Sequence, residues 1–446
     1  MKKVLILGAG LVVKPIVTYL LQQGFRVTVA SPTPDRAAAM IQGHPNGEVI
    51  DWVMDQDDKL NEMVMAHDLT VSFLPYLFHL QVAMKCLKHK KDMVTASYIK
   101  PEMQALHEEA KTAGIIILNE LGLDPGIDHM SAMRIIDKIH AKGGKVEEFF
   151  SICGALPAPE AATNPFRYKF TWSPKGVIMA GNNEARFLRD GKTVMVPTED
   201  LFKNPFKVNF DPIGELDVYP NRDSITYSEI YGIPEAKTMF RGTFRYSGWC
   251  ETMDVMKQIG LTSYEKFHLE GMSFADLMAL MIGSMTTIHI KEQVANHLGI
   301  DPEAHSIKAM DWLGLFENQK MNRTIDSPFE VISDLMIEKM GLGDTERDMV
   351  VLQHTFLASY PNATSEVIRS RMLDFGTPAT DTSIARTVSL PAAIGVEMIL
   401  NGQIKAKGVF RPTLPEIYLP ILDKLEELGI TMVEEYDLPL TENIHF

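Results

Sequence analysis

A chain of 446 residues exceeds what one ordinary hydrophobic core organises, so at least two domains are expected. Its formal net charge of -15 argues against a nucleic-acid surface, which needs clustered Lys and Arg to displace counterions. No uninterrupted apolar run approaches membrane-spanning length, and the apolar stretch of MKKVLILGAG is too short for a signal peptide, so a cytoplasmic protein without a membrane partner is expected.

From residue 1 to 118, short apolar runs alternate with helical periodicity. Residues 4–7, 27–30, 48–54, 69–74, 93–96 and 115–118 read as strands, and residues 15–23, 35–41, 79–89 and 101–113 as helices. That alternation predicts an α/β fold with a doubly wound parallel sheet. Past Pro125 the rhythm changes. Residues 131–140 read as a helix, 146–153 as a strand, and 154–166 (GALPAPEAATNPF) as a long Pro-rich loop of the kind that covers sites. Residues 170–247 are strand-rich and aromatic, 275–320 helical, and 346–360 a strand. From SIARTVSLPAAIGVEMIL onward the chain turns helical again, with small residues suited to close packing.

The cysteines Cys86, Cys153 and Cys250 are far apart and form no CxxC spacing, so neither a disulfide framework nor a zinc site is suggested. His289 and His297 would lie more than two turns apart on one helix, and His129 and His140 complete no ligand motif, so no metal is expected.

The first strand runs into VLILGAGLVVKP. Gly8 permits a tight turn and Gly10 lets the backbone approach a pyrophosphate at the N-terminus of the next helix, so Gly8, Ala9, Gly10, Leu11 and Val12 form the expected dinucleotide turn of a Rossmann domain. Val13 replaces the usual third glycine and weakens the motif; its place on the first strand of a βαβ unit strengthens it. The second strand ends in VTVASPTPDR. There Ala30, Ser31, Pro32 and Thr33 stand where an acid would bind the ribose 2′-hydroxyl of NAD, with Arg36 just beyond. Small hydroxyls and a guanidinium suit a 2′-phosphate, which favours NADP over NAD; Arg36 also reads as an ordinary solvated helix residue.

NELGLDPGIDHM, residues 119–130, follows the sixth strand with three acids, a Pro-Gly pair and a histidine. Asp-Pro-Gly is a turn signal, and Pro125 suits the first turn of the following helix. At the carboxyl end of a parallel strand such a junction borders the ligand crevice, although on local sequence alone a turn with solvated acids is the favoured reading.

SFLPYLFH (72–79), MVTASYIKPEM (93–103) and NELGLDPGIDHMSAM (119–133) together resemble the glutamate-forming saccharopine dehydrogenases, also called saccharopine reductases. Residues 153–177, YPNRDS (219–224), RGTFRY (241–246) and ARTVSLPAA (385–393) extend the likeness nearly end to end. The resemblance implies a dinucleotide-binding Rossmann domain over residues 1–125 and a mixed α/β substrate and dimerisation domain over 126–382. Residues 383–446 would return to the Rossmann domain, and the protein would be a homodimer. It also implies the reaction, in which saccharopine is oxidised at its secondary amine to an imine that water cleaves to 2-aminoadipate 6-semialdehyde and glutamate, or the reverse.

Carried onto this chain, the resemblance adds Asp55, Leu74, Ala96, Ser97, Leu123, Asp124, Pro125 and Ser173 to the cofactor positions Gly8 to Val12 and Ser31 to Thr33. Ser97, Tyr98, Asp124, Arg222, Thr243, Phe244 and Arg245 become substrate positions. Pro32 departs from NADP-using relatives, which place an arginine there, unless Arg36 substitutes for it.

Arg222 and Arg245 can each fork onto a substrate carboxylate, or pair with a structural acid such as Asp223 or Glu229. Asp124 is the expected partner of the protonated amine or imine, and Tyr98 a donor to a carboxylate or water. Cys153, at a strand end before the covering loop, reads as a pocket thiol or a buried structural one. Lys100 is a candidate general base, and His129 at closest touches a residue that touches the ligand. Two other readings stand beside this one: a carboxynorspermidine dehydrogenase, and a non-catalytic Rossmann protein that senses dinucleotides.

Overall fold

The computed structural model describes residues 1–361 and 363–446. Its contacts separate two compact units. The first comprises Met1–Val146, Ile230–Ile233 and Ala358–Leu438; the second comprises Glu147–Glu229, Pro234–Leu357 and Pro439–Phe446.

In the first unit, strands β1 (Lys3–Leu7), β2 (Arg26–Ser31), β3 (Gly47–Asp51), β4 (Leu69–Ser72), β5 (Asp92–Val94) and β6 (Ile116–Leu118) are joined through helices. Among the described residues the sheet orders as Gly408–Phe410, β6, β5, β4, β1, β2, β3, with every neighbouring pair parallel. Val4, Leu5, Ile6 and Leu7 are all 0% exposed, because a parallel sheet is covered on both faces. Burying each such side chain stabilises by about 1.5–3 kcal/mol relative to leaving it exposed.

Two local features depart from the sequence expectation. The helix Asp57–Ala66 was not foreseen, since only Leu60, Met63 and Val64 form its buried stripe within a polar stretch. The helix expected over 101–113 is two, Pro101–Gln104 and His107–Ala113.

The first unit also runs past residue 125. Its helix Ile127–Ala141 packs with Pro415–Glu427, where the Tyr418 hydroxyl donates to Asp137. The helix Ser383–Leu400 is long and apolar enough to cross a membrane, although Arg386 and Glu397 interrupt its apolar run, and most of it is buried within the protein. Its small residues permit close approach: a Cβ on Gly395 would lie 2.3 Å from Leu121 Cδ2. From the same helix Ser389 donates its hydroxyl to the Val12 carbonyl, and Glu397 accepts from the Tyr19 hydroxyl at 2.6 Å.

In the second unit the strands Phe206–Phe210, Gly214–Pro220, Thr238–Arg245, Lys145–Pro157 and Asp348–Tyr360 lie side by side in that order, with Ala185–Arg189 and Lys192–Val196 attached at Thr238–Arg245. The strand expected to stop at Cys153 continues to Pro157, so Cys153 lies within it and the expected loop begins only at Ala158. Pairing outweighs the Pro-rich composition: Ala158 N–H donates to Arg347 O at 3.0 Å, and only the short turn Pro159–Ala161 follows. Helices Pro174–Ala180, Trp249–Gln258, Phe274–Met281, Ile290–Leu298, His305–Leu313 and Pro328–Lys339 belong to the same unit.

Gly8 has φ +105°, and a Cβ there would lie 2.9 Å from the Phe73 carbonyl oxygen, whereas a Cβ on Gly10 meets nothing within 4 Å. Gly8→Ala is therefore expected to cost on the order of 1–3 kcal/mol and lower the Tm of the cofactor-free protein. Gly10→Ala should leave that Tm unchanged. Scanning calorimetry on both variants reads the contrast.

Candidate active site

The carboxyl ends of β4 and β5 are joined by a buried imidazole. Ser72 ends β4, and its hydroxyl lies 2.8 Å from His79 Nδ1. His79 Nε2 lies 2.7 Å from the Ser97 hydroxyl and 3.4 Å from that of Thr95, both in the segment after β5. Burial pushes the His79 imidazole down to about 4, so at neutral pH it is uncharged, with one ring nitrogen donating and the other accepting. The sequence reading assigned His79 only to a helix. Its signal was a histidine opening an amphipathic helix just after an apolar strand, and its partners come from two other segments.

The segment 119–130 forms a more compact bend than a solvated turn. The Asp124–Pro125 bond is cis and Gly126 has φ +148°. The helix begins at Ile127, earlier than residue 131, and Pro125 precedes its first turn instead of joining it. Asp124 is half-buried, and its Oδ1 accepts from the Tyr98 hydroxyl at 2.8 Å.

The neighbouring acids are not solvated. Glu120 lies against His129 Nε2 at 2.9 Å and Arg411 Nε at 3.2 Å, and accepts from Ile99 N–H at 2.8 Å. Burial works to raise its carboxyl, but the His129 hydrogen bond and charge, Arg411 and the Ile99 amide together hold it down at about 2. Asp128 is buried as well, and its Oδ1 accepts from Gly126 N–H at 2.6 Å. Lys100 is exposed, with Nζ 4.3 Å from the centre of the Tyr76 ring.

The expected dinucleotide residues border the same carboxyl edge. Gly8 and Ala9 are buried, Gly10 and Leu11 are exposed, and Val12 is half-buried in the turn before the helix Lys14–Gln22. At the end of β2, Ser31 accepts from Thr33 N–H at 3.1 Å, while Pro32, Thr33 and Arg36 are exposed. Arg36 forms no ion pair with any of the described residues. Asp55 is exposed, Leu74, Ala96 and Ser97 are half-buried, and Leu123 and Pro125 are buried. The open space at Gly10, together with hydroxyls and a guanidinium where an acid would repel a phosphate, fits a dinucleotide carrying a 2′-phosphate.

The remaining predicted residues belong to the second unit. Arg241, Thr243 and Arg245 share one face of their strand by alternation, and Phe244 points the other way, its ring 5.8 Å from that of Phe210. Arg245 is 5% exposed. Its guanidinium carbon lies 4.9 Å from the ring centre of Tyr168, 5.4 Å from Trp249 and 5.8 Å from Tyr219. Nη1 donates to Phe244 O at 2.8 Å, Nε is buried without a hydrogen-bond partner, and no carboxylate pairs with Arg245 among the described residues.

Cys153 is buried and stands in register with Thr243. Arg222 is exposed at φ +52°; Asp223, weighed as its structural partner, pairs with Arg186 at 2.8 Å instead. Ser173 is exposed at the start of the helix Pro174–Ala180.

The His79 relay has a consequence for acid stability. Burial lowers its imidazole from 6.5 to about 4, so between those values the unfolded chain binds the extra proton. Stability rises with pH across that window and is lost as the pH falls through it, by on the order of 3 kcal/mol. His79→Gln, which still donates and accepts, should flatten the acid limb of a Tm-against-pH curve between pH 6.5 and 4.

Residues 4–118 match the model of the saccharopine dehydrogenase NADP binding domain, and residues 122–430 that of the saccharopine dehydrogenase C-terminal domain. The chain is 35% identical over 446 residues to saccharopine dehydrogenase (NADP+, L-glutamate-forming) of Schizosaccharomyces pombe, an alignment covering 98% of this chain and 99% of that one. It is 36% identical over 449 residues to the mitochondrial alpha-aminoadipic semialdehyde synthase of Bos taurus, which again takes in 98% of this chain but only 48% of the relative. The chain thus spans about half the length of such relatives. The solved structure of apo saccharopine dehydrogenase (L-Glu forming) from Saccharomyces cerevisiae superposes with a TM-score of 0.89 at 35% identity, covering 98% of this chain and 100% of that one. With both domains matched in order and a full-length relative aligned throughout, the chain belongs to the saccharopine dehydrogenase family.

Proposed function

We propose that this protein interconverts saccharopine with 2-aminoadipate 6-semialdehyde and glutamate, using NADP. The observation that carries this reading is Arg245, a buried guanidinium lined by aromatic rings and lacking a carboxylate partner among the described residues. An unpaired buried charge is costly, so the site favours an anionic ligand, and the planar fork matches a carboxylate. Saccharopine offers three carboxylates. A diamine-derived substrate presents fewer and answers this cation less well.

Oxidation of the secondary amine removes a hydride from carbon and a proton from nitrogen; the nicotinamide, when bound, carries the hydride, and water then adds to the imine and expels glutamate. The protein orients the substrate and handles the proton. Hydride loss from the neutral amine leaves a protonated imine, which Asp124 holds through a charge-assisted hydrogen bond, and the Tyr98 hydroxyl keeps that carboxylate in place. Thr243 shares the strand face of Arg245, and Arg222 supplies a second guanidinium. Gly8 to Val12, Ser31, Thr33 and Arg36 would hold the dinucleotide, with Ser97 fixed by His79 at the adjoining edge.

Purified protein supplied with saccharopine and NADP+ at alkaline pH, where the amine is deprotonated, should yield glutamate and NADPH in equal amounts. Arg245→Ala should raise KM for saccharopine roughly ten- to a hundred-fold, the weight of a charge-assisted hydrogen bond. Turnover of carboxynorspermidine with none of saccharopine would overturn the assignment.

Arg36 is exposed, so its pairing with a 2′-phosphate contributes about 1 kcal/mol and is screened by salt. Arg36→Ala is expected to raise KM for NADPH several-fold and leave that for NADH nearly unchanged. An equal change for both cofactors would return Arg36 to the solvated helix.

A further inference from the structure

Glu120, His129 and Asp128 are buried, ionisable and unused by the chemistry described above. Glu120 and His129 have side chains 2% and 0% exposed. Glu120 also has φ +56°, a left-handed backbone that a residue with a side chain adopts at a cost. In that conformation its N–H donates to Ser97 O at 3.1 Å, and its Oε1 accepts from Ile99 N–H at 2.8 Å. Glu120 therefore grips the backbone on both sides of Tyr98. Its Oε2 lies 2.9 Å from His129 Nε2.

On the other side of the imidazole, His129 Nδ1 faces the Tyr231 hydroxyl at 2.6 Å and Asp128 Oδ2 at 3.5 Å. Asp128 Oδ1 in turn takes the Gly126 N–H at 2.6 Å and so fixes the bend that carries Asp124. A single run of contacts leads from the residues flanking Tyr98 to the turn holding Asp124. Stability alone does not call for it, since buried ion clusters are on average no better than apolar packing of the same volume.

We infer that Glu120, His129 and Asp128 are positioning residues that hold the Tyr98 hydroxyl on Asp124 during saccharopine turnover. This rests on the functional reading above. None of the three needs to touch the substrate: their effect passes through the geometry of the Tyr98–Asp124 pair, where a displacement near 1 Å is enough to cost rate.

The test is a kinetic cycle on wild type, Glu120→Gln, Tyr98→Phe and the double variant. Glu120→Gln should lower kcat at least about tenfold while KM for NADP+ stays within about twofold. In the Tyr98→Phe background the same substitution should have no further effect, because its route to the chemistry is gone. Glu120→Asp, which keeps the charge for His129 and Arg411 but draws it away from Ile99, goes through the same cycle and serves if the Gln variant fails to fold; the same non-additivity is expected. Equal losses in the two backgrounds, or wild-type kcat in Glu120→Gln, would reduce the cluster to a structural tether and overturn the inference. Wild-type protein that turns over no saccharopine overturns the functional reading itself, and this inference with it.

Discussion

A carboxylate taken out of water stays ionised only if cations and hydrogen-bond donors replace the water, and the first unit is organised around one such group. Glu120 is met by the Ile99 amide, by His129 and by Arg411, which belong to three separate stretches of chain. The segment after β5 carries Ile99, the helix after the Asp124 bend carries His129, and the residue following the strand Gly408–Phe410 is Arg411. Satisfying one charge therefore sets where all three end. With its carboxyl held near 2, Glu120 stays charged across the physiological range, and the constraint does not relax with ordinary changes of pH.

The second unit contains the opposite arrangement. Arg245 is as thoroughly removed from water, but aromatic faces and a single backbone carbonyl surround it, and no carboxylate does among the described residues. Ring faces attract a cation without neutralising it, each contributing about 0.5–2 kcal/mol. The two buried charges thus suit different work. Glu120 is answered from within the protein and serves as an anchor; Arg245 is left incompletely answered and suits a ligand of opposite charge.

The sequence revealed the scaffold more readily than the charges. The parallel sheet could be read because VLIL, VTVA and IIL are buried on both faces and apolar except at Thr28, and the helix Ser383–Leu400 because its small residues pack closely. NELGLDPGIDHM was read as a bend carrying Asp124, but the same letters allowed solvated acids. What decides between those readings is Arg411, 291 residues from Glu120, and Tyr231, in a separate segment. His79 was missed for a similar reason, since Ser72 and Ser97 become its partners only when β4 and β5 are side by side. The Pro-rich stretch after Cys153 misled in the other direction: its composition is that of a loop, and a neighbouring strand made its beginning part of a sheet.

The outermost strand beside β6, Gly408–Phe410, is supplied from near the other end of the sequence. A chain emerging from the ribosome completes β1 to β6 early and leaves the β6 edge unpaired until residues 147–357 of the second unit have been made. Throughout that interval the backbone groups of β6 form an open template for another strand, and the left-handed Glu120 beyond them lacks Arg411. Native pairing here closes a very long loop, a topology that folds slowly and in which early release of the chain leaves an edge prone to association. The unit that carries the match to an NADP binding domain is thus begun before the other and completed only after most of it.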